Sequence, residues 1–366
     1  MKFIDEFRDP KLAKKILAKI HSSAKYLTEE KTIMEICGGH TVALFKFGIH
    51  KLLPDKIKLV SGPGCPVCVT PNSVIDKAIW LANQENTTIF SFGDMMRVPG
   101  SMETLTDVSA GGEKVKMIFS PLQAVEFAKN NPQKKCVLFA VGFETTVPTH
   151  AAAALEAKKN NLKNFSILSV GKLTPPAMKS LLNDPQVNLD AFIAPGHVTT
   201  IIGANAYKFI ETDFKKPCVV SGFELCDILE SLARIIDQLV KNEHKVEIQY
   251  SRTVNFEGNK KARKIIDDVF ETVDSHWRGL GLIPKSGYKL NKNFSDFDTE
   301  NYFNFPDFSD EEPAGCRCGD VLKGICLPEN CALFAKNCTP DHPIGPCMVS
   351  SEGSCGAHYR YGKTKK

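Results

Sequence analysis

The sequence predicts an α/β protein: two related parallel-sheet domains, followed by a cysteine-rich section with little regular periodicity. Three observations carry this expectation. Short apolar strands alternate with helical stretches from residue 31 onward, a strand-and-turn pattern repeats within that region, and seven of the thirteen cysteines fall after residue 315, where the alternation stops. Strand-helix alternation requires crossover connections, and these produce parallel sheets covered by helices on both faces.

The chain opens with a helix, because Asp9-Pro10 followed by Leu12, Ile16, Leu17 and Ile20 reads as an N-cap, a first-turn proline and an amphipathic stripe. Candidate strands follow at Thr32–Ile36, Ile57–Ser61, Thr88–Phe92, Lys116–Ser120, Cys136–Val141, Phe165–Val170, Ala191–Ala194 and Cys218–Ser221. Between them, Ser73–Asn83, Leu122–Lys129, Ala151–Lys159 and Thr199–Phe209 read as helices. After about residue 285 the composition shifts, and residues 291–312, rich in Asp, Asn, Phe and Ser, read as an irregular connector. The expected division is an N-terminal helix at 1–30 packed on the C-terminal domain, α/β domains at 31–125 and 126–245, and a C-terminal domain at 246–366.

The repeat is visible directly. Residues 89–99 (IFSFGDMMRVP) align without a gap to residues 138–148 (LFAVGFETTVP), and Ile36 to Val42 (ICGGHTV) resembles Ala194 to Thr199 (APGHVT). Each time an apolar strand ends in glycine and a polar side chain follows. Such turns put side chains at the carboxyl ends of strands, where open α/β sheets bind ligands. The expectation is therefore two Rossmann-like domains facing each other across a cleft, with Asp94, Arg97, Glu144 and His197 among its polar residues. Carboxylates in the first turn of a helix also serve simply as dipole partners or caps.

Bulk properties exclude several classes. A chain of 366 residues with 43% apolar and 24% charged residues is globular. A formal charge of +4, spread without a dominant basic block, creates no field for nucleic acid or an anionic membrane. Only Lys363-Thr364-Lys365-Lys366 is locally basic, and it reads as a solvated end. No apolar run reaches the roughly 18 residues that span a bilayer. The N-terminus carries acidic residues and lacks the apolar core of a secretory signal, so a reducing, cytoplasmic setting is expected. Disulfide stapling then does not explain the cysteines. Neither Gly-x-Gly-x-x-Gly nor a P-loop lysine motif occurs.

The thiols fall into two groups. In the tail, Cys316-x14-Cys331-x6-Cys338-x16-Cys355 supplies four thiolates, with Cys318 and Cys347 as possible substitutes. Four thiolates suit an iron-sulfur cluster or a structural zinc. Zinc ribbons bring ligands as two tight C-x2-C knuckles, so the wide, uneven spacing favours a cubane cluster, with a zinc-stapled binding scaffold as the alternative. Cys136, Cys218, Cys226 and Cys326 lie in apolar or helical contexts and are expected to be buried, inert thiols. Upstream, Gly62-Pro63-Gly64-Cys65-Pro66-Val67-Cys68 places a C-x-x-C directly after a strand, able to close a disulfide or clamp a metal. Cys37 follows another strand and precedes two glycines that let a partner approach its backbone. His40 stands three residues on; it can orient that thiol, act as a base or contact a ligand, although an isolated histidine more often bonds to backbone.

The motifs Glu35 to Thr41 (EICGGHT), Gly62 to Pro71 (GPGCPVCVTP), Phe92 to Ser101 (FGDMMRVPGS), Gly142 to Pro148 (GFETTVP), Trp277 to Gly287 (WRGLGLIPKSG), Cys316 to Gly324 (CRCGDVLKG) and Met348 to Cys355 (MVSSEGSC) together resemble the HypD family of hydrogenase maturation proteins. The resemblance covers nearly the whole chain. It implies a redox-active scaffold, rather than a conventional turnover enzyme, on which the Fe(CN)2CO group of [NiFe] hydrogenases is assembled. It further implies a small HypC-like chaperone that shares the iron and a HypE-like protein that delivers cyanide. The family's essential upstream cysteines fall on Cys37, Cys65 and Cys68, which would hold Fe(II) carrying cyanide and CO. Its glycine-flanked histidine and its aspartate fall on His40 and Asp94. Its [4Fe-4S] cluster falls in the C-terminal iron-sulfur domain, on Cys316, Cys331, Cys338 and Cys355, with Cys318 or Cys347 able to replace one of them. On this reading the cluster feeds electrons through the Cys65/Cys68 dithiol toward the iron. A thiol-disulfide oxidoreductase resembling ferredoxin:thioredoxin reductase is the competing expectation, and Cys37 discriminates, because a reductase has no use for it.

Overall fold

In the computed structural model, which describes residues 5–112 and 114–362, the chain starts as its capping residues dictate. Asp9 accepts the backbone N–H of Lys11, and Pro10 occupies the first turn of α1 (Pro10–Ala24). Alternation follows: β1 (Lys31–Glu35), α2 (Gly38–Lys46), β2 (Ile57–Ser61), α3 (Asn72–Ala82), β3 (Thr87–Ser91), α4 (Gly93–Met96), α5 (Leu105–Ala110), β4 (Val115–Met117) and α6 (Pro121–Asn130). Next come β5 (Lys135–Gly142), α7 (Val147–Lys159), β6 (Phe165–Lys172), α8 (Thr174–Asn183), β7 (Ala191–Pro195), α9 (Gly196–Ile202), α10 (Lys208–Thr212), β8 (Cys218–Ser221), α11 (Leu225–Lys241) and β9 (Val246–Ile248). The last third holds α12 (Lys260–Val269), the hairpin β10 (Phe270–Trp277) and β11 (Gly281–Leu290), and the short helices α13 (Cys318–Leu322), α14 (Pro346–Val349) and α15 (Ser354–Ala357). The first four residues and the basic Lys363-Thr364-Lys365-Lys366 end lie outside the described residues. Among the described residues no helix is long and apolar enough to cross a membrane.

Two sheets result. One runs β2-β1-β7-β8-β9, all parallel; the other runs β10-β11-β6-β5-β3-β4, parallel from β6 to β4 with the hairpin antiparallel. β7 and β8 are buried at every position, which is why they read as unbroken apolar runs. Sheet membership does not follow the expected division at residues 125/126. β1 pairs with β7, and the hairpin beyond residue 246 extends the second sheet, because parallel pairing joins strands that lie far apart in the chain. The sequence periodicity misses β10 since only Phe270 and Trp277, at its ends, are buried.

Both sheets share a topology: in order of appearance their parallel strands run second-first-third-fourth, with β9 added as a fifth in the first sheet, the doubly wound arrangement whose ligand crevice lies where strand order reverses. The reversal falls between β1 and β7 in one sheet and between β3 and β5 in the other. Those are the strand pairs that the two sequence repeats pick out. The repeats therefore relate neighbours within each sheet, while the kinship between the sheets is topological.

Two further expectations are corrected. α1 packs on α11, with Ala13, Ile20 and Ala24 against Leu229, Leu232 and Ile236 and a Ser23–Asp237 hydrogen bond of 3.0 Å, not on the C-terminal section. The apolar stripe of α1 finds its partner stripe there. The predicted helix Thr199–Phe209 is broken at Gly203, whose φ is +81° and where a Cβ would stand 2.4 Å from the Phe256 carbonyl oxygen.

Candidate functional site

β1 and β2 pair in register as far as Glu35 opposite Ser61, so the loops that leave them emerge side by side. Gly62 N–H donates to the Glu35 carbonyl at 2.8 Å and Gly38 N–H to the Gly64 carbonyl at 3.1 Å. This stitching lays the C-x-x-C turn against Cys37. Cys37 is the N-cap of α2, and the N–H groups of Gly39 and His40 face its sulfur, an environment that favours a thiolate. Burial, and then the carboxylates of Glu352 and Glu35, outweigh them and push the thiol up to about 12. At neutral pH the thiol therefore rests protonated. Glu35 accepts the Cys37 N–H at 2.9 Å and the Thr41 hydroxyl, and burial raises its carboxyl to about 8.

Glu352 comes from the loop between α14 and α15. Its backbone and Cβ lie so close to Gly38 that a side chain there would meet them at 2.4 Å. Ser350 Oγ–H donates to Asp94 Oδ2 at 2.9 Å, Glu352 N–H donates to Ser350 Oγ at 3.2 Å, and Arg97 donates to the Val349 carbonyl at 3.3 Å. Asp94 and Arg97 thus fasten the segment that carries Glu352 over Cys37. Glu352 escaped the sequence reading although it stands in the quoted MVSSEGSC motif; an acidic residue three places before a cysteine carries no periodic signal.

His40 is fully buried and donates Nε2–H to the Gly222 carbonyl at 3.0 Å. Burial lowers it to about 4, so its ring is neutral at neutral pH. The sequence reading also missed Phe223, which lies between the rings of His40 and His197. Glu144 stands apart from the thiols. Its buried carboxylate accepts the N–H of Thr174 at 2.8 Å and its hydroxyl at 2.9 Å, anchoring the first residue of α8.

The tail thiols converge. Cys316, Cys318, Cys331, Cys338, Cys347 and Cys355 line one pocket, walled by Val321, Leu333, Phe334 and Met348. Cys318 and Cys347 hold their sulfurs 2.7 Å apart, and the Cys68 thiol donates to the Pro346 carbonyl, beside Cys347, at 3.9 Å. Cys65, Cys68, Cys318 and Cys347 share one buried cluster with Phe143 and Trp277. Burial raises the thiols of Cys68 and Cys355, and a hydrogen bond with Cys318 followed by burial raises that of Cys316. Soft thiols around an apolar pocket are a donor set that fits an iron-sulfur cluster. Among the described residues, no three His, Cys, Asp or Glu side chains converge on a point closely enough to hold a single ion. Cys326 lines a neighbouring cavity with His50 and His358, and Cys136, Cys218 and Cys226 are buried in the sheet cores.

A family model named HypD, described as the hydrogenase formation hypA family, matches residues 11–362. The hydrogenase maturation factor HypD of Rhodobacter capsulatus is 43% identical to this chain over 371 residues, covering 99% of it and 98% of that protein. HypD of Escherichia coli (strain K12) is 42% identical over 367 residues, covering 99% and 98%. HypD of Rhizobium leguminosarum bv. viciae is 41% identical over 374 residues, covering 100% and 97%.

Proposed function

Because this chain belongs to the HypD family of hydrogenase maturation factors, we propose that it is the scaffold on which Fe(CN)2CO is assembled, holding the iron through Cys37 and reducing its ligands through Cys65 and Cys68. The cargo is Fe(II), a soft centre once it carries cyanide and CO, and a thiolate at Cys37 suits it. Glu352 and Glu35 flank that sulfur, and Glu35, whose carboxyl burial raises to about 8, would give up its proton as a cation arrives. A HypC-like chaperone completes the iron's ligands and a HypE-like protein brings cyanide, in a reducing cytoplasm.

Releasing cyanide from a thiocyanate-like carrier takes two electrons. The sulfur–carbon bond breaks, the carrier leaves as a thiolate and cyanide passes to iron. A Cys65/Cys68 dithiol supplies both electrons as it closes to a disulfide. When bound at Cys316, Cys331, Cys338 and Cys355, a [4Fe-4S] cluster supplies the electrons that restore the dithiol. Cys318 and Cys347 would be the intermediate pair. The observation that carries this reading is the buried cluster that Cys65 and Cys68 share with Cys318 and Cys347, whose sulfurs are 2.7 Å apart, so that the C-x-x-C abuts the tail pocket. The same contact would serve a ferredoxin:thioredoxin reductase-like enzyme, and a zinc-stapled scaffold would have no need of it.

Infrared spectroscopy of anaerobically purified protein, alone and with its small partner, tests the proposal. Cyanide and CO stretches that vanish in Cys37→Ser support it. Their persistence in that variant would eliminate Cys37 as the iron ligand and favour the reductase.

A further inference from the structure

The ring of His40 is held from behind by the turn that follows β8. Nε2–H donates to the Gly222 carbonyl at 3.0 Å and lies 3.3 Å from that of Ser221, whereas Nδ1 is buried and has no partner. A neutral imidazole carries one proton, so the two carbonyl acceptors choose the tautomer and leave a lone pair at Nδ1. Phe223 lies face to face with His40 at 4.5 Å and with His197 at 4.0 Å, which fixes the ring plane. Nothing in α2 itself imposes this choice.

The turn has its own anchor. Asp227 is fully buried, and its carboxylate accepts Arg252 Nη1 at 2.8 Å, Arg252 Nη2 at 2.5 Å, Gln249 Nε2 at 2.8 Å and the Glu224 N–H at 3.2 Å. Gln249 Oε1 in turn accepts the Gly222 N–H at 3.1 Å. The Arg252 guanidinium is stacked 3.7 Å over Phe7 and 4.6 Å over Tyr250, so the bidentate pair is held in one geometry. Gly222 is held through both its backbone groups, its N–H by Gln249 and its carbonyl by His40.

We propose that Asp227 and Arg252, acting through Gln249, Gly222 and Phe223, are positioning residues for the Cys37 site: they keep His40 in the Nε2–H tautomer, with Nδ1 a permanent hydrogen-bond acceptor three residues from the cargo sulfur. The proposal rests on Cys37 as the residue that holds iron. A purely structural Asp–Arg pair would support the fold without deciding which nitrogen of His40 carries the proton.

Nitrogen-15 NMR of the full-length, histidine-labelled, anaerobic protein tests it, with His40→Gln to assign the signals and added Fe(II) as the binding probe. The wild type should show a protonated Nε2 and an unprotonated Nδ1. Phe223→Leu and Asp227→Asn should move both signals toward a mixture of tautomers and weaken Fe(II) binding about tenfold, the low end of the loss seen when a group orienting a metal site is removed. Arg252→Lys, which keeps the charge but loses the bidentate fork, should move both in the same direction by less. Folded Phe223→Leu and Arg252→Lys proteins with wild-type signals and wild-type Fe(II) affinity would overturn the proposal, and they decide it alone if Asp227→Asn does not fold. Fe(II) binding that survives Cys37→Ser would instead sink the iron-site reading, leaving the nitrogen signals to judge the positioning role.

Discussion

Gly64 lies flat against the backbone of Cys37: a Cβ on Gly64 would stand 2.4 Å from the Cys37 nitrogen and 2.6 Å from its Cα. The two thiol-bearing loops are therefore one packed unit, and glycine is the residue that permits it. Gly64→Ala should force them apart, destabilising the protein by about 1–3 kcal/mol as an overpacked contact and quickening alkylation of Cys37. Denaturant unfolding with mass spectrometry of the alkylated protein checks both; an unchanged midpoint and alkylation rate would show that the loops can yield.

Cys65→Ala removes one half of the proposed electron donor without touching the tail pocket. Cyanide-bearing iron should disappear while the brown colour of the cluster persists. Infrared and visible spectra of the same anaerobic sample give both readings, and full cyanide loading in the variant would remove the pair from the mechanism.

The six thiols of the tail pocket should separate into two classes. Serine at Cys316, Cys331, Cys338 or Cys355 should cost the visible absorbance and most of the bound iron and sulfide. Serine at Cys318 or Cys347 should leave both intact yet block cyanide transfer. Loss of colour on replacing Cys318 would place it among the ligands instead.

Glu144 makes stability depend on pH in a defined direction. Its carboxyl titrates near 4.5 when exposed and about 7 in the fold, because burial disfavours the charge. Between those values the unfolded chain has released the proton that the native protein keeps, so stability falls as pH rises through that window and stays lower above it. Glu144→Gln cannot ionise. Relative to wild type it should gain on the order of 3 kcal/mol between pH 4.5 and pH 8, as chemical denaturation at the two pH values would reveal. A constant difference between the proteins would mean that Glu144 is not buried as described.

Much of this was legible in the residues themselves. Strand-helix alternation located β1 to β8 to within a few residues, since central strands buried on both faces leave continuous apolar runs. Cys37 and the Cys65/Cys68 pair were recognisable because each follows a strand and sits among glycines. His40 and Glu144 were legible only as polar residues at strand ends. Burial made the first a neutral, backbone-bonded ring and the second an anchor for α8. Asp94 was expected at the cleft and reaches it through Ser350.

The sequence by itself determined the strands β1 to β8, the places where thiols follow strands, and the resemblance to a family. Only the tertiary structure decided that β1 pairs with both β2 and β7, that Glu352 closes over Cys37, and that Cys347 and Cys68 share one buried cluster. The physical reason is range. Capping, periodicity and glycine turns act between residues a few places apart, whereas parallel pairing and burial join segments hundreds of residues distant, and a linear pattern carries no record of which distant partner fills the space.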